Sequence, residues 1–266
     1  MTACSSFKII YNLAENFIKE ETKFYLKFDE EDEYYLNAQI NQMMEWHNIT
    51  MLPRYAAYLR NQANQIDKGI YGKPVIIQAI EGGRVLMGDA VRGAAPFAAR
   101  ILVRQKATAN LEHLRTKMNE RIEEKKEKLA DPRERRITNR TRRLIKNIGR
   151  FLGDFNQTQN NLIRNYSRST IDDGHARLKN RDLRQRELLK FLVTKPNEIE
   201  LEEFINKILL RSHEIVDPDY QKASKDSIDK FATVLTNILA ASTPDQRRLA
   251  AKNLRSLAQD LMELAS

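Results

Sequence analysis

Cysteine occurs once in the 266 residues, at Cys4. No internal disulfide can form, and a cysteine-rich metal site is excluded. Glycine and proline number only nine and seven, so connections are expected to be short. The one Asp-Gly pair, Asp173-Gly174, lacks the alternating apolar flanks of a β-hairpin. The chain therefore reads as all-α, a multi-helix bundle with no sheet. No run of about 18 apolar residues occurs, so no transmembrane helix is predicted. The basic start and apolar core of a complete secretory signal are missing as well. His113, His175 and His213 stand alone, without the H-x-x-x-H or H-E-x-x-H spacing that a metal needs. Neither a metal nor a cofactor is expected. Gly82-Gly83 has no G-x-G-x-x-G or G-K-[ST] around it, so it reads as a turn rather than a phosphate loop.

What the sequence has is positive charge in one place. Of 45 Lys/Arg and 36 Asp/Glu, the stretch Arg115–Arg150 holds fourteen and six, leaving 31 and 30 elsewhere. The basic character is a local feature of two predicted helices. One runs from about Thr108 to Leu129 on the stripe Leu111, Leu114, Met118 and Ile122. The other starts at Asp131-Pro132 and carries Ile137, Leu144, Ile145, Ile148 and Phe151. Both stripes are narrow, so these helices lie on the surface or form a long charged hairpin. In the first, Glu120, Glu123, Glu124 and Glu127 sit among the lysines as internal partners. In the second, Arg133, Arg135, Arg136, Arg140, Arg142 and Arg143 have only Asp131 and Glu134 near in sequence. These six are the anion-binding candidates, because the planar guanidinium contacts phosphate or carboxylate bidentately.

The rest of the chain follows the same helical logic. Asp29 can cap a helix that opens on Glu30, Glu31, Asp32 and Glu33, four acids read as solvated or ion-paired. Leu36, Ile40, Met43 and His47 share its apolar face, and a kink or break is expected just before Pro53. Lys68-Gly69 ends the next helix. Gly82-Gly83 and Ala94-Ala95-Pro96 are expected to interrupt the apolar section that follows. Thr243-Pro244-Asp245-Gln246 is a capping box before the seam Ala250, Leu254, Leu257, Leu261 and Leu264. Residues 7–266 read as one elongated all-α domain with a basic arm at about 108–151. Residues 1–6 read as a tether. Met1-Thr2-Ala3-Cys4-Ser5-Ser6 fits a cut-down bacterial lipobox, but four residues are a weak motif, and taken alone they fit an ordinary start with a plain thiol better.

Trp46-His47 followed by Leu52-Pro53-Arg54-Tyr55-Ala56-Ala57-Tyr58-Leu59 resembles a signature of an uncharacterised family of bacterial helical lipoproteins, domain of unknown function 6279. Ser242-Thr243-Pro244-Asp245-Gln246-Arg247, with Leu254 and Asp260-Leu261 downstream, is similar to that family's C-terminal helix. Its Thr-x-x-Gln core also resembles motifs of small periplasmic helical chaperones. The likeness runs in order from Cys4 to the last helix. It implies an address: family members carry a lipidated cysteine, Cys4 matches that position, and Ser5 resembles an outer-membrane sorting residue. The departure is the missing signal sequence; with Met1 as the true start, the address becomes the cytoplasm. The family has no established activity, so no reaction is implied.

Four functions are therefore weighed. The first is a non-enzymatic protein tethered at Cys4 to the periplasmic face of the outer membrane. Its arginines would meet anionic lipid, peptidoglycan or an acidic protein. The second is a cytosolic nucleic-acid binder using the same arginines; it lacks a recognised motif and aromatic interleaving in the basic stretch. The third is a chaperone-like binder. The fourth, an enzyme, is not expected, because no nucleophile, base and anion cradle can be assembled. Trp46, His47 and Tyr55 could line a groove, although a histidine on an apolar face is more often packed.

Overall fold

The computed structural model describes residues 8, 9, 11, 13–105, 107–215 and 217–266. Cys4 and its neighbours lie outside them. Among the described residues every regular element is helical and no strand occurs. The α-helices are α1 (Ala14–Tyr25), α2 (Glu30–Trp46), α3 (Leu52–Asp67), α4 (Lys73–Val103), α5 (Thr108–Ala130) and α6 (Arg133–Leu152). They continue as α7 (Gln157–Ser169), α8 (Asp173–Val193), α9 (Glu198–Leu210), α10 (Pro218–Ala240) and α11 (Pro244–Ala265).

Local chemistry sets most of these boundaries. The Asp29 side chain accepts the backbone N–H of Asp32 at 2.8 Å, capping α2. Asn156, Asn197 and Thr243 each form a reciprocal capping box with the residue three positions on. Gly69, with φ at +72°, takes the left-handed turn after α3. Ahead of Pro53 the expected interruption is a π-helical turn, His47–Met51, that carries α2 into α3 without a loop. Proline lacks the N–H of the helical ladder and clashes with the carbonyl four residues back, and the wider turn absorbs the mismatch.

The breaks expected at Gly82-Gly83 and Ala94-Ala95-Pro96 do not occur. α4 runs unbroken through both for 31 residues, about 45 Å. Here tertiary packing outweighs helix propensity. The Tyr58 ring lies over the glycine pair, and its hydroxyl donates to the Ala79 carbonyl at 2.7 Å. At Gly93 a Cβ would stand 1.8 Å from Trp46 Cζ2, so only glycine admits the indole against the helix backbone. These glycines are contact surfaces, not turns.

Three clusters of buried side chains hold the helices. The largest joins α2, the C-terminal half of α4, the N-terminal half of α5, the end of α8, and α9 around Leu36, Ile40, Ala99, Leu114, Leu189 and Leu201. Fully burying a leucine such as Leu36 or Leu201 stabilises by about 2 kcal/mol relative to exposure. A second, around Leu152, Ile163, Val234 and Ile238, joins α6, α7, α10 and α11. A third, Leu52, Ala56, Ala258 and Leu261, is the seam between α3 and α11. α4 reaches from the second cluster, through Ile76, to the first. The charged pair α5 and α6 opens at Asp131-Pro132, and each leg docks on different neighbours. α5 packs on α8 and α1; α6 packs on α7 and α11.

Candidate anion-binding cleft

The divergence of α5 and α6 leaves a cleft, closed on its third side by the N-terminal half of α8. α5 is seated by its buried stripe Leu114, Met118 and Ile122. At the first turn of α8, a Cβ on Gly174 would come within 2.8 Å of Leu129 Cδ2, so glycine lets the end of α5 close in. Ile137, buried, fixes the rotation of α6. Arg136, Arg140 and Arg143 are then spaced to share one helix face, and all three line the cleft.

The cavity measures about 660 Å³. Lys125, Lys128, Arg136, Arg140, Arg143, Arg177 and Arg181 line it, against one carboxylate, Asp131. Arg136 is fixed by the protein itself. It donates to the carbonyls of Asp131 and Ile171 at 3.2 and 3.5 Å and to Asp172 at 3.3 Å. Arg140 lies with its guanidinium 5.4 Å from the Tyr166 ring centroid, and its Nε is buried without a hydrogen-bond partner. Arg181 donates to the Tyr25 hydroxyl at 3.5 Å. Among the described residues no carboxylate lies within 4.0 Å of Lys125, Lys128, Arg140, Arg143, Arg177 or Arg181. Beside them Arg184 is held below its ordinary pKa by burial; Tyr220 opposes the shift and Arg181 adds to it. Like charges around a partly enclosed cavity repel one another, and an anion between them relieves that repulsion through charge-assisted hydrogen bonds.

The six candidate arginines divide. Arg136, Arg140 and Arg143 meet at the cleft. Arg133 stands at its rim, bonded to Asp172 at 3.7 Å and to the Arg168 carbonyl at 3.2 Å. Arg135 does not line the cavity but pairs at 3.3 Å with Asp131, which does; Arg142 is exposed and does not line it. The chain's own acids thus engage Arg133, Arg135 and Arg136, while Arg140, Arg142 and Arg143 have no carboxylate partner among the described residues.

Four lining cations were not singled out in the sequence: Lys125, Lys128, Arg177 and Arg181. The glutamates of α5 select other partners. Glu120 pairs with Lys117, Glu123 with Lys126 and Glu124 with Arg121. That leaves Lys125 and Lys128 over. The signal in α8 was the spacing of Arg177, Arg181 and Arg184, which places cations on the face beside its leucines.

Three of the four acids at the start of α2 are paired. Arg104 bonds Asp32 at 2.5 Å and Glu31 at 3.1 Å, and Lys23 bonds Glu33. Trp46, His47 and Tyr55 do come together, around the π-helical turn. His47 Nδ1 lies 2.7 Å from the Tyr11 hydroxyl, which donates to Asn48 Oδ1 at 2.5 Å. The His47 ring centroid is 5.6 Å from that of Tyr55 and 6.2 Å from that of Trp46. Burial lowers the His47 pKa. Burial, then Tyr55, raises the Tyr11 phenol to about 12. Trp46 is spent on Gly93. Among the described residues no group of three or more His, Cys, Asp or Glu is placed to hold a metal ion. No described helix is long and apolar enough to cross a membrane.

Fold and cleft together define an all-α helical-bundle protein. The model of a family of unknown function, DUF6279, matches residues 24–221, and the chain belongs to that family. The matched span contains every residue of the cleft; it leaves out Cys4 and α11. No curated protein and no solved structure matches the chain.

Proposed function

We propose that this is a non-enzymatic, lipid-anchored helical protein of the periplasmic face of the outer membrane. Its cleft holds an anionic group of the envelope: a lipid headgroup, a peptidoglycan carboxylate or an acidic side chain of a partner. The observation that carries this reading is the cavity of about 660 Å³ lined by seven cations and one carboxylate. Anchorage rests on the lipobox-like residues around Cys4. One acyl chain alone holds a protein marginally at a membrane, and an added basic surface makes the attachment firm.

Flotation with vesicles tests the basic cleft. Binding to phosphatidylglycerol vesicles should exceed binding to phosphatidylcholine vesicles, fall as salt rises, and weaken in Arg140→Gln/Arg143→Gln. Equal binding to both vesicles, or preferential salt-sensitive retention of RNA or DNA, removes the reading. Intact mass of the protein taken from its native host tests the anchor: diacylglyceryl on Cys4 supports it, and an unmodified thiol with Met1 retained ends it.

A further inference from the structure

The cleft does not end at its arginines. A second cavity of about 470 Å³ lies between α1, α4, α5 and α8, and its walls are mostly apolar, with Phe17, Ile18, Ala98, Leu102, Met118 and Leu188 among them; the one carboxylate in the lining, Glu21, is paired with Arg121 at 2.9 Å. Arg181 lines both cavities. The arrangement follows from the α5–α8 pair. On α8 the positions 174, 177, 181, 185 and 188 form one helical stripe. On α5 the positions 114, 118, 125 and 129 form another. One end of this paired surface is cationic and the other apolar. Phe17 belongs to the apolar stripe of α1 but is 66% exposed, standing at the mouth of the groove. Gln185, on the groove wall, has a buried Oε1 without a hydrogen-bond partner.

We infer that cleft and groove are one site for an anionic amphiphile, its charged head among Lys128, Arg140, Arg143 and Arg177 and its acyl chain along Met118 and Leu188, with Arg181 at the junction. Charge complementarity selects the head, and the mostly apolar wall of the groove selects the chain. Both volumes fall in the range of small-molecule sites, roughly 300–1,000 Å³. A hydrophilic anion would use the cleft and leave the groove to water. A neutral lipid would use the groove and leave the cations unmatched. This inference rests on the reading of the cleft as an anion site and adds the chain to it.

Titration calorimetry on the whole protein, with three probes below their micelle concentrations, tests it. The probes are a lysophosphatidylglycerol with a 14-carbon chain, the lysophosphatidylcholine of equal chain, and chainless glycerophosphoglycerol. The anionic lysolipid should bind at least tenfold tighter than either of the others. Each chain carbon that the groove covers should tighten binding by about fourfold. Phe17→Ser, at an exposed position, should weaken the lysolipid several-fold and leave the chainless anion unchanged. Arg143→Gln should weaken both. If the chainless anion binds as tightly as the lysolipid, the groove takes no chain and this inference fails while the anion site stands. If the two lysolipids bind alike, the cations are not engaged and the inference fails together with the proposed function. Absence of binding by all three overturns both.

Discussion

Two helix pairs in this protein meet in opposite ways. α3 and α11 close on alanine: Ala56, Ala63, Ala251 and Ala258 are all buried there, with exposures of 1% or less. Small side chains bring the two backbones together over most of their length. Lys8 reaches the end of the same seam, pairing with Glu263 and lying 3.9 Å from Asp260. α5 and α8 also start from a packed apolar stripe, but toward Lys125 and Arg177 the stripe gives way to long cations. α6 turns away to α7 and α11 there, and a cavity replaces a seam. The difference teaches that burial alone does not decide where this fold is tight. What decides it is whether the facing side chains are small and neutral, or long and of one sign.

The sharpest way to break the comparison is to spoil the tight pair. Ala258→Leu puts three extra carbons into a position with no exposed surface. Overpacking of this kind costs about 3 kcal/mol at its usual upper end. Urea unfolding should show the loss as a lower midpoint with little change of slope. An unaltered midpoint would mean that the seam has room, and that α3 and α11 are not the close pair described.

A smaller loss is expected at the start of α11. The Thr243 hydroxyl accepts the N–H of Gln246 at 3.1 Å, and the Gln246 side chain returns to the N–H of Thr243 at 3.0 Å. Gln246 also reaches Gln159 and the Asp154 carbonyl. Thr243→Ala should cost about 1 kcal/mol. Gln246→Ala should cost more, because Gln159 is fully buried and loses a partner.

Such caps were legible in the sequence because they are local. Thr243 with Gln246, Asp29 with its acids and Gly69 after Lys68 depend on neighbours within four residues, and the structure keeps all of them. The stripe Leu114, Met118 and Ile122 was legible for the same reason. The continuity of α4 was not. Gly82, Gly83 and Pro96 are locally helix-breaking, and the rings that pack on the glycines of this helix, Tyr58 on Gly82-Gly83 and Trp46 on Gly93, come from other helices. Three of the seven cations of the cleft were legible too: Arg136, Arg140 and Arg143 share a face by spacing alone. Arg177 and Arg181 required knowing that α8 packs on α5, a tertiary fact with no sequence signature of its own. Phe17 lies on the apolar spacing of α1, yet it stands exposed at the mouth of the groove, which its own helix does not reveal.

The π-helical turn offers a pH test of the tight side. Burial lowers the His47 pKa below its ordinary 6.5, so the folded state favours the neutral ring. The unfolded chain binds the proton more readily. The stability that His47 contributes is therefore fully present above its unfolded pKa and is lost as pH falls through the folded value. Thermal unfolding of the wild type should weaken on acidification from about pH 8 to pH 5, the range in which histidine titrates. His47→Gln should flatten that dependence. An identical pH profile in the variant would place the titrating group elsewhere.

The cleft should give the smallest change in stability, and the most informative sign. Lys128 and Arg143 are exposed, line the cavity, and have no carboxylate within 4.0 Å among the described residues. Removing an exposed charge that has no partner shifts stability by no more than about 0.5 kcal/mol. The shift in Lys128→Gln/Arg143→Gln should be favourable, because two members of a repelling set are gone. Salt distinguishes this from an ordinary surface change. Added sodium chloride screens the cleft over a Debye length of about 10 Å at 0.1 M. It should raise the unfolding midpoint of the wild type more than that of the double variant. If the variant is destabilised and the salt response is unchanged, these cations are held by attraction rather than strained against one another. The cleft would then be no more poised for an anion than the exposed lysines of α5 that already have their glutamates.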